Sequence, residues 1–388
     1  MSRQTVDPAT LPATGAWREG DPVGGRRFVD IGEILLDTGR QLPVTVAYET
    51  WGELNEAGDN AVLVLHALTG DSHVVGPAGD GHPTAGWWEA VVGPGKAIDT
   101  SRYYVVAPNI LGGCQGTTGP ASTAPDGAPW GSRFPQVTAR DQVAAEALLA
   151  DHLGVRRWAL VVGASMGGQR AVEWAIQFPE RVGRLAVIAS NAATSAEQLA
   201  LAHTQILAIQ GDPNFRGGDY YDAPVGHGPA AGLALARQIA HVSYRSAAEL
   251  QDRFYRLQQH AEEPLEGGRY AVESYLDHAG WKLARRFDAN SYLAITRAMM
   301  THDVGRDRGG VDIALSQIQA RVLVIGVDTD RLFLPHELEQ VVRHAPHAEP
   351  LQWIRSDCGH DGFLVEHDQV SALLGRFLRS AERTWLHR

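Results

Sequence analysis

A serine hydroxyl is a weak nucleophile near neutral pH. To attack an acyl group it needs a base, a carboxylate that orients the base, and amides facing the oxyanion that develops. This sequence holds a residue of each type where it could serve. Ser165 is the centre of Gly163-Ala164-Ser165-Met166-Gly167. The apolar run from Ala159 to Val162 before it reads as a buried strand, and Ala171, Val172, Trp174, Ala175 and Phe178 behind it recur at helical spacing. A serine on so sharp a strand-to-helix turn takes a strained backbone, and glycines two residues to either side leave room for the crossing chain. Its hydroxyl then stands clear of the sheet at a helix N-terminus, where the amide of Met166 and the helix dipole face an oxyanion.

The base and its carboxylate are available downstream. Arg321 to Gly326 reads as a strand and is followed by Asp328 and Asp330; Leu351 to Ile354 reads as a last short strand and is followed by Asp357-Cys358-Gly359-His360-Asp361-Gly362-Phe363 and a terminal helix. Ser, Asp and His thus come in the order of the α/β-hydrolase fold, each on a loop after a strand. Of the sixteen histidines, His360 is the best placed to act as base, because it sits in a Gly-His-Asp-Gly turn just before the last helix. Spacing does not separate Asp328 from Asp330. The second oxyanion amide is expected from the loop His66 to Asp71, beyond the carboxyl end of the strand Ala61 to Leu65, at Leu68 or failing that Thr69.

The elements that must position these groups alternate as in an α/β protein. Val44 to Thr50 has the alternation of a half-buried strand, and Ala61 to Leu65 and Tyr103 to Ala107 read as further strands. Asn109 to Pro120 is too glycine-rich for regular structure. Thr138 and Asp141 form a capping box for a helix running to Leu153, and Arg184 to Ala189 is another strand. The strand rhythm then stops. Helices are expected from Thr194-Ser195-Ala196-Glu197, from Ala230 to Tyr244, after Ser246, and twice between Tyr270 and Met300, before strands resume at Arg321. The expected architecture is a mostly parallel central sheet of the α/β-hydrolase fold, with a core domain of residues 28–190 and 315–388. An inserted helical lid spans residues 191–314, and a loose N-terminal arm, residues 1–27, has no assigned role.

Composition narrows the function. The 388 residues carry a formal charge of −11, with 44% hydrophobic and 20% charged residues, and no basic stripe that would suit a nucleic acid. Two cysteines, Cys114 and Cys358, exclude a disulfide framework and fit a reducing cytoplasm. The N-terminus lacks a secretion signal and no run approaches 18 apolar residues, so no membrane association is expected. His66, His73 and His82 are irregularly spaced, and no metal site is expected.

With these residues in hand, the chain resembles the homoserine O-acetyltransferase family of α/β-hydrolase-fold acyltransferases. The resemblance rests on Tyr48 to Asn55, His66 to Asp71, Asn109 to Cys114, Gly116 to Pro120, Gly163 to Gly168, Gly218 to Tyr221, Ala236 to His241, Tyr244 and Arg245, Phe287 to Tyr292, Thr329 to Leu332 and Gly359 to Leu364. It implies a ping-pong transfer of acetyl from acetyl-CoA, as co-substrate, to the hydroxyl of L-homoserine, serving methionine biosynthesis, with no permanently bound cofactor. The Asp-x-Leu-Phe context of the family selects Asp330 as the carboxylate. The resemblance places Arg237 and Asp361 on the amino-acid acceptor, with Tyr244 and Thr69 in the same site, and implies a homodimer built through the lid. A guanidinium for the carboxylate and a carboxylate for the ammonium suit a zwitterion. Succinyl transfer to homoserine or serine, and a serine carboxylesterase on the same fold, are the alternatives.

Overall fold

The computed structural model describes residues 6–380. Residues 1–5 of the expected arm and 381–388 of the expected core lie outside the described residues. Among the described residues ten strands form: β1 (Arg27–Leu35), β2 (Gln41–Trp51), β3 (Ala61–Leu65), β4 (Val92–Gly93), β5 (Ile98–Asp99), β6 (Tyr104–Pro108), β7 (Trp158–Ala164), β8 (Arg184–Ile188), β9 (Arg321–Val327) and β10 (Gln352–Ile354). The short β4 and β5 pair only with each other, and the other eight make one sheet in the order β1-β2-β6-β3-β7-β8-β9-β10. From β6 to β10 all pairings are parallel, while β2 runs antiparallel to both neighbours.

The central strands are continuous apolar runs because both faces of the sheet are covered. Leu63, Leu65, Val161 and Leu185 pack on one face with Val143, Leu149 and Val172 of α1 (Ala139–His152) and α2 (Met166–Gln177). Val62, Val64, Leu160 and Ile325 pack on the other with Leu374 and Phe377 of α11 (His367–Arg379). Between β8 and β9 the chain forms α3 (Ala196–Gln210), α4 (Ala230–Tyr244), α5 (Ala247–Phe254), α6 (Ala271–Ala284), α7 (Ala289–Met300) and α8 (Val311–Ser316); α9 (Pro335–His344) and α10 (Gly362–Val365) follow β9 and β10.

Local cap chemistry explains two helix starts. At α1, Asp141 Oδ2 accepts from the Thr138 amide at 2.7 Å while the Asp141 amide donates to Thr138 Oγ1. At α3 the box falls one residue later than expected. Ser195 and Gln198 form it, because the Thr194 hydroxyl instead donates to the Met299 carbonyl at 2.5 Å.

Two expectations need correction. The first strand is β1, ahead of Val44 to Thr50, the earliest strand the sequence led us to expect. A register shift between Asp30 and Glu33, around Gly32 at φ 77°, breaks the two-residue period that would have revealed it. The arm is not loose over its described part. Leu11 is buried, the Gly15 amide donates to the Phe287 carbonyl, the Trp17 amide donates to the Cys114 carbonyl, and Arg26 is buried and donates to the Gly81 carbonyl and Gln115 Oε1. Its partners lie far away in sequence, so polar composition alone suggested a free arm.

Candidate active site

Ser165 sits between β7 and α2 with φ 54° and ψ −126°, a conformation L-residues rarely adopt. Two contacts hold it there: its amide donates to the Ile188 carbonyl at 2.9 Å, and its carbonyl accepts from Ser190 Oγ at 2.7 Å. A Cβ on Gly167 would lie 2.1 Å from the Leu65 carbonyl oxygen, and one on Gly163 would lie 2.0 Å from the Gly167 carbonyl oxygen. Both glycines are therefore steric requirements of the turn.

Parallel strands bring the other two groups to the same edge. Asp330 follows β9 and His360 follows β10, two and three strands from β7. His360 Nδ1 donates to Asp330 Oδ2 at 2.7 Å, and Asp330 Oδ1 accepts from the amides of Leu332 and Phe333. Asp328 faces away: it accepts from the Ser356 amide and pairs with Arg355. The imidazole is packed among Phe333, Phe363 and Tyr244. Burial works against its charge, but the charge and hydrogen bond of Asp330, helped by Asp361, outweigh burial and raise its pKa above the usual histidine value. Its Nε2 is buried without a hydrogen-bond partner, so the bond to Ser165 Oγ is not formed here. Such bonds often close only when substrate is bound.

The loop after β3 carries Leu68, whose amide donates to no protein acceptor among the described residues. Met166 opens α2, where an amide has no intrahelical partner. Three contacts at His66 fix the start of the loop. Arg170 Nη2 donates to the His66 carbonyl at 2.9 Å, the Ile110 amide donates to His66 Nε2, and His66 Nδ1 donates to the Ala67 carbonyl. Arg170 is itself buried against Glu146, which also accepts from Trp174 Nε1 at 2.7 Å.

The acceptor candidates come from the inserted helices. Arg237 on α4 lies over the Tyr244 ring at 5.1 Å and donates to Thr69 Oγ1 at 3.5 Å. The Tyr244 ring in turn lies 5.7 Å from His360. Asp361 is already engaged, with Oδ2 paired to Arg245 at 3.3 Å. Arg245 also reaches Glu249, and the Ser246 hydroxyl donates to the Asp357 carbonyl, so the end of α4 is fastened to the His360 turn. Sequence reasoning gave no role to Arg245, Arg286 and His241, although Arg245 and His241 lie within the stretches that carry the family resemblance and Arg286 adjoins another at Phe287. His241 Nε2 meets the Tyr275 hydroxyl at 2.7 Å, and its pKa is pushed down to about 3 by burial and by Arg237, Arg245 and Arg253.

Two histidines read as scattered are brought together. His73 and His82 stack at 3.8 Å beside Glu49, and the three ligand atoms lie within 4.8 Å of one another. This set could attract a metal, but its lone pairs are engaged. His73 Nδ1 faces Glu49 at 3.0 Å and its Nε2 faces the Pro77 carbonyl at 3.3 Å, so both nitrogens face acceptors and the surroundings favour the protonated ring. His82 Nε2 accepts from the Gly25 amide at 2.9 Å. Parallel stacked rings do not aim their lone pairs at one point.

Fold and site define a protein of the α/β-hydrolase class, and a profile of the α/β-hydrolase fold matches residues 60–367. The homoserine O-acetyltransferase of Thermobifida fusca (strain YX) is 59% identical over 97% of this chain and 100% of its own length. Among solved structures, homoserine O-acetyltransferase from Bacillus anthracis superposes with a TM-score of 0.84 at 27% identity, covering 92% of this chain and 97% of the other. Esterase E22 gives 0.83 at 27%, covering 91% and 99%. The chain belongs to the homoserine O-acetyltransferase family. No helix among the described residues is long and apolar enough to cross a membrane.

Proposed function

We propose that the protein transfers an acetyl group from acetyl-CoA to the hydroxyl of L-homoserine in two displacements. His360, oriented by Asp330, takes the proton of Ser165 as Oγ attacks the thioester carbonyl. The amides of Leu68 and Met166 stabilise the oxyanion, the C–S bond breaks, and coenzyme A leaves as the thiol with the proton from His360. Homoserine then gives its hydroxyl proton to His360 and attacks the acyl-serine, and Ser165 recovers its proton as O-acetyl-L-homoserine departs. Arg237 takes the acceptor's carboxylate and Asp361 its ammonium, through the oxygen not paired with Arg245. The observation that carries the reading is the buried Asp330–His360 pair with a free Nε2 at the edge that also bears the strained Ser165. The proposal extends to a cytoplasmic homodimer joined through the inserted helices, without a permanently bound cofactor, that supplies methionine biosynthesis.

The likeness to esterase E22 favours a second reading, in which water replaces the acceptor. One experiment separates the two: acetyl-CoA and succinyl-CoA are offered with homoserine and serine, and products are weighed. Acetylhomoserine as the main product, with consumption of acetyl-CoA dependent on homoserine and an acetylated wild-type enzyme absent from Ser165→Ala, supports the transfer. Consumption indifferent to homoserine makes the protein an esterase, and succinylated product reassigns the donor.

A further inference from the structure

Four arginines surround this site, and only two have carboxylate partners. Arg170 is paired with Glu146, and Arg245 with Asp361 and Glu249. Arg237 and Arg286 are in no ion pair among the described residues, yet both are partly buried. They converge on one residue from opposite sides. Arg237 donates to the Thr69 hydroxyl at 3.5 Å, and Arg286 Nη2 donates to the Thr69 carbonyl at 2.8 Å.

Arg286 is held in place by more than this bond. Its own carbonyl accepts from Gln115 Nε2 at 2.9 Å, and the next residue, Phe287, is tied through its carbonyl to the Gly15 amide. Arg286 also lines a cleft of about 320 Å³ with Trp17, Asp21, Asp80 and Gln115, on a side that Thr69 and Arg237 do not line. Burial lowers the pKa of Arg286 and Arg237 lowers it further, with Asp71 opposing. Asp71 acts on it through its charge but is in no ion pair with it among the described residues, and its Oδ1 accepts from the His73 amide.

Two guanidinium groups kept together without a counter-ion repel each other, and an arriving anion removes both that repulsion and their unfilled donor capacity. One carboxylate has two oxygens and matches two forks. The geometry points to Arg286 as a second, unassigned determinant of acceptor specificity: with Arg237 it forms a two-guanidinium seat at Thr69 for a single carboxylate, that of the acceptor amino acid. This rests on the proposed transfer to homoserine. The same chemistry would receive the far carboxylate of a dicarboxylic acyl donor, and the test keeps the two sources apart.

Arg286→Gln and Arg286→Lys are compared with wild type using homoserine, 3-aminopropan-1-ol, which is homoserine without its carboxylate, and p-nitrophenyl acetate. Arg286→Gln is expected to raise KM for homoserine about ten- to a hundredfold, the worth of one hydrogen bond to a charged group, with kcat within about threefold. Arg286→Lys should fall between. Transfer to 3-aminopropan-1-ol and acylation by p-nitrophenyl acetate should be nearly the same in all three proteins. A homoserine KM within about twofold of wild type overturns the inference. So does an equal loss with p-nitrophenyl acetate, which would make Arg286 a brace for the Leu68 loop, or a rise confined to KM for succinyl-CoA, which would assign the seat to the donor. If Arg286→Gln does not fold, Arg286→Lys decides alone, because it retains a donor to Thr69. A wild type inactive towards homoserine would sink the functional reading itself.

Discussion

The Asp330 carboxylate meets His360 Nδ1 at 2.7 Å with one oxygen, while its other oxygen is held by the amides of Leu332 and Phe333. The acid therefore cannot swing away from the imidazole, and the tautomer with Nε2 open towards the edge is selected. With His360 as the base, acylation requires the neutral ring, so its rate climbs with pH through a pKa above the ordinary histidine value. Asp330→Asn removes the largest contribution raising that pKa. The limb should move to lower pH, and kcat should fall by about 10⁴-fold. Asp328→Asn should leave the limb where it is. Initial rates between pH 5 and 9 check both, and an unmoved limb in Asp330→Asn would refute the assignment.

The elbow glycines separate crowding from backbone strain. Gly167→Ala forces a Cβ to within 2.1 Å of the Leu65 carbonyl oxygen. It should cost more than about 3 kcal/mol, because neither strand nor helix can give way. Gly32→Ala meets nothing within 4 Å and has only its φ of 77° against it, so about 1 kcal/mol is expected. Denaturant unfolding measures the pair, and equal losses would contradict this account.

Arg170 is fully buried, and among the described residues its only carboxylate partner is Glu146. Removing one partner leaves an unpaired buried charge, so Arg170→Met should destabilise by about 3–5 kcal/mol. Replacing both, as Arg170→Met with Glu146→Leu, should recover a good part of that loss. The single variant should also slow acylation, since the His66 carbonyl loses its donor. A double variant no more stable than the single would show that the ion pair is not the source of the cost.

The stacked histidines give stability a dependence on pH. Burial disfavours the charge on His73, but hydrogen bonding and the charge of Glu49, with the Pro77 carbonyl and Asp71, raise its pKa overall. Burial shifts His82 the other way, and the charges of Arg26 and His73 add to that shift against Glu49. A raised folded pKa means that the His73 contribution is complete below the unfolded value near 6.5 and fades as pH rises through the folded one. The melting-temperature advantage of wild type over His73→Gln should therefore shrink from pH 6 towards pH 9. Micromolar zinc at pH 6 should leave the wild-type melting temperature unchanged, because metal must displace both a proton and the Gly25 amide. A gap that widens with pH, or a zinc-induced rise, would contradict the arrangement.

Much of the scaffold was legible from short windows. The runs at β3, β7, β8 and β9 announce buried strands, Thr138 and Asp141 announce α1, and the spacing of Gly163 and Gly167 about Ser165 announces a tight turn. These features depend on contacts within a few residues, where periodicity and cap chemistry act. β1 escaped notice because its bulge interrupts the alternation, and the arm because its anchors, Cys114 and Phe287, are about a hundred or more positions away.

The sequence by itself determined which residue types were available for acyl chemistry, their order along the chain, and the strand and helix rhythm that carries them. Spacing left open which of two aspartates turns to the imidazole, a choice only the family resemblance made, and nothing in the sequence showed that Glu49, His73 and His82 meet or that Arg237 and Arg286 share Thr69. Those outcomes belong to the order of strands in the sheet and the seating of the inserted helices. Groups distant in the chain become neighbours only through that packing, and no local pattern of residues encodes a distance across it.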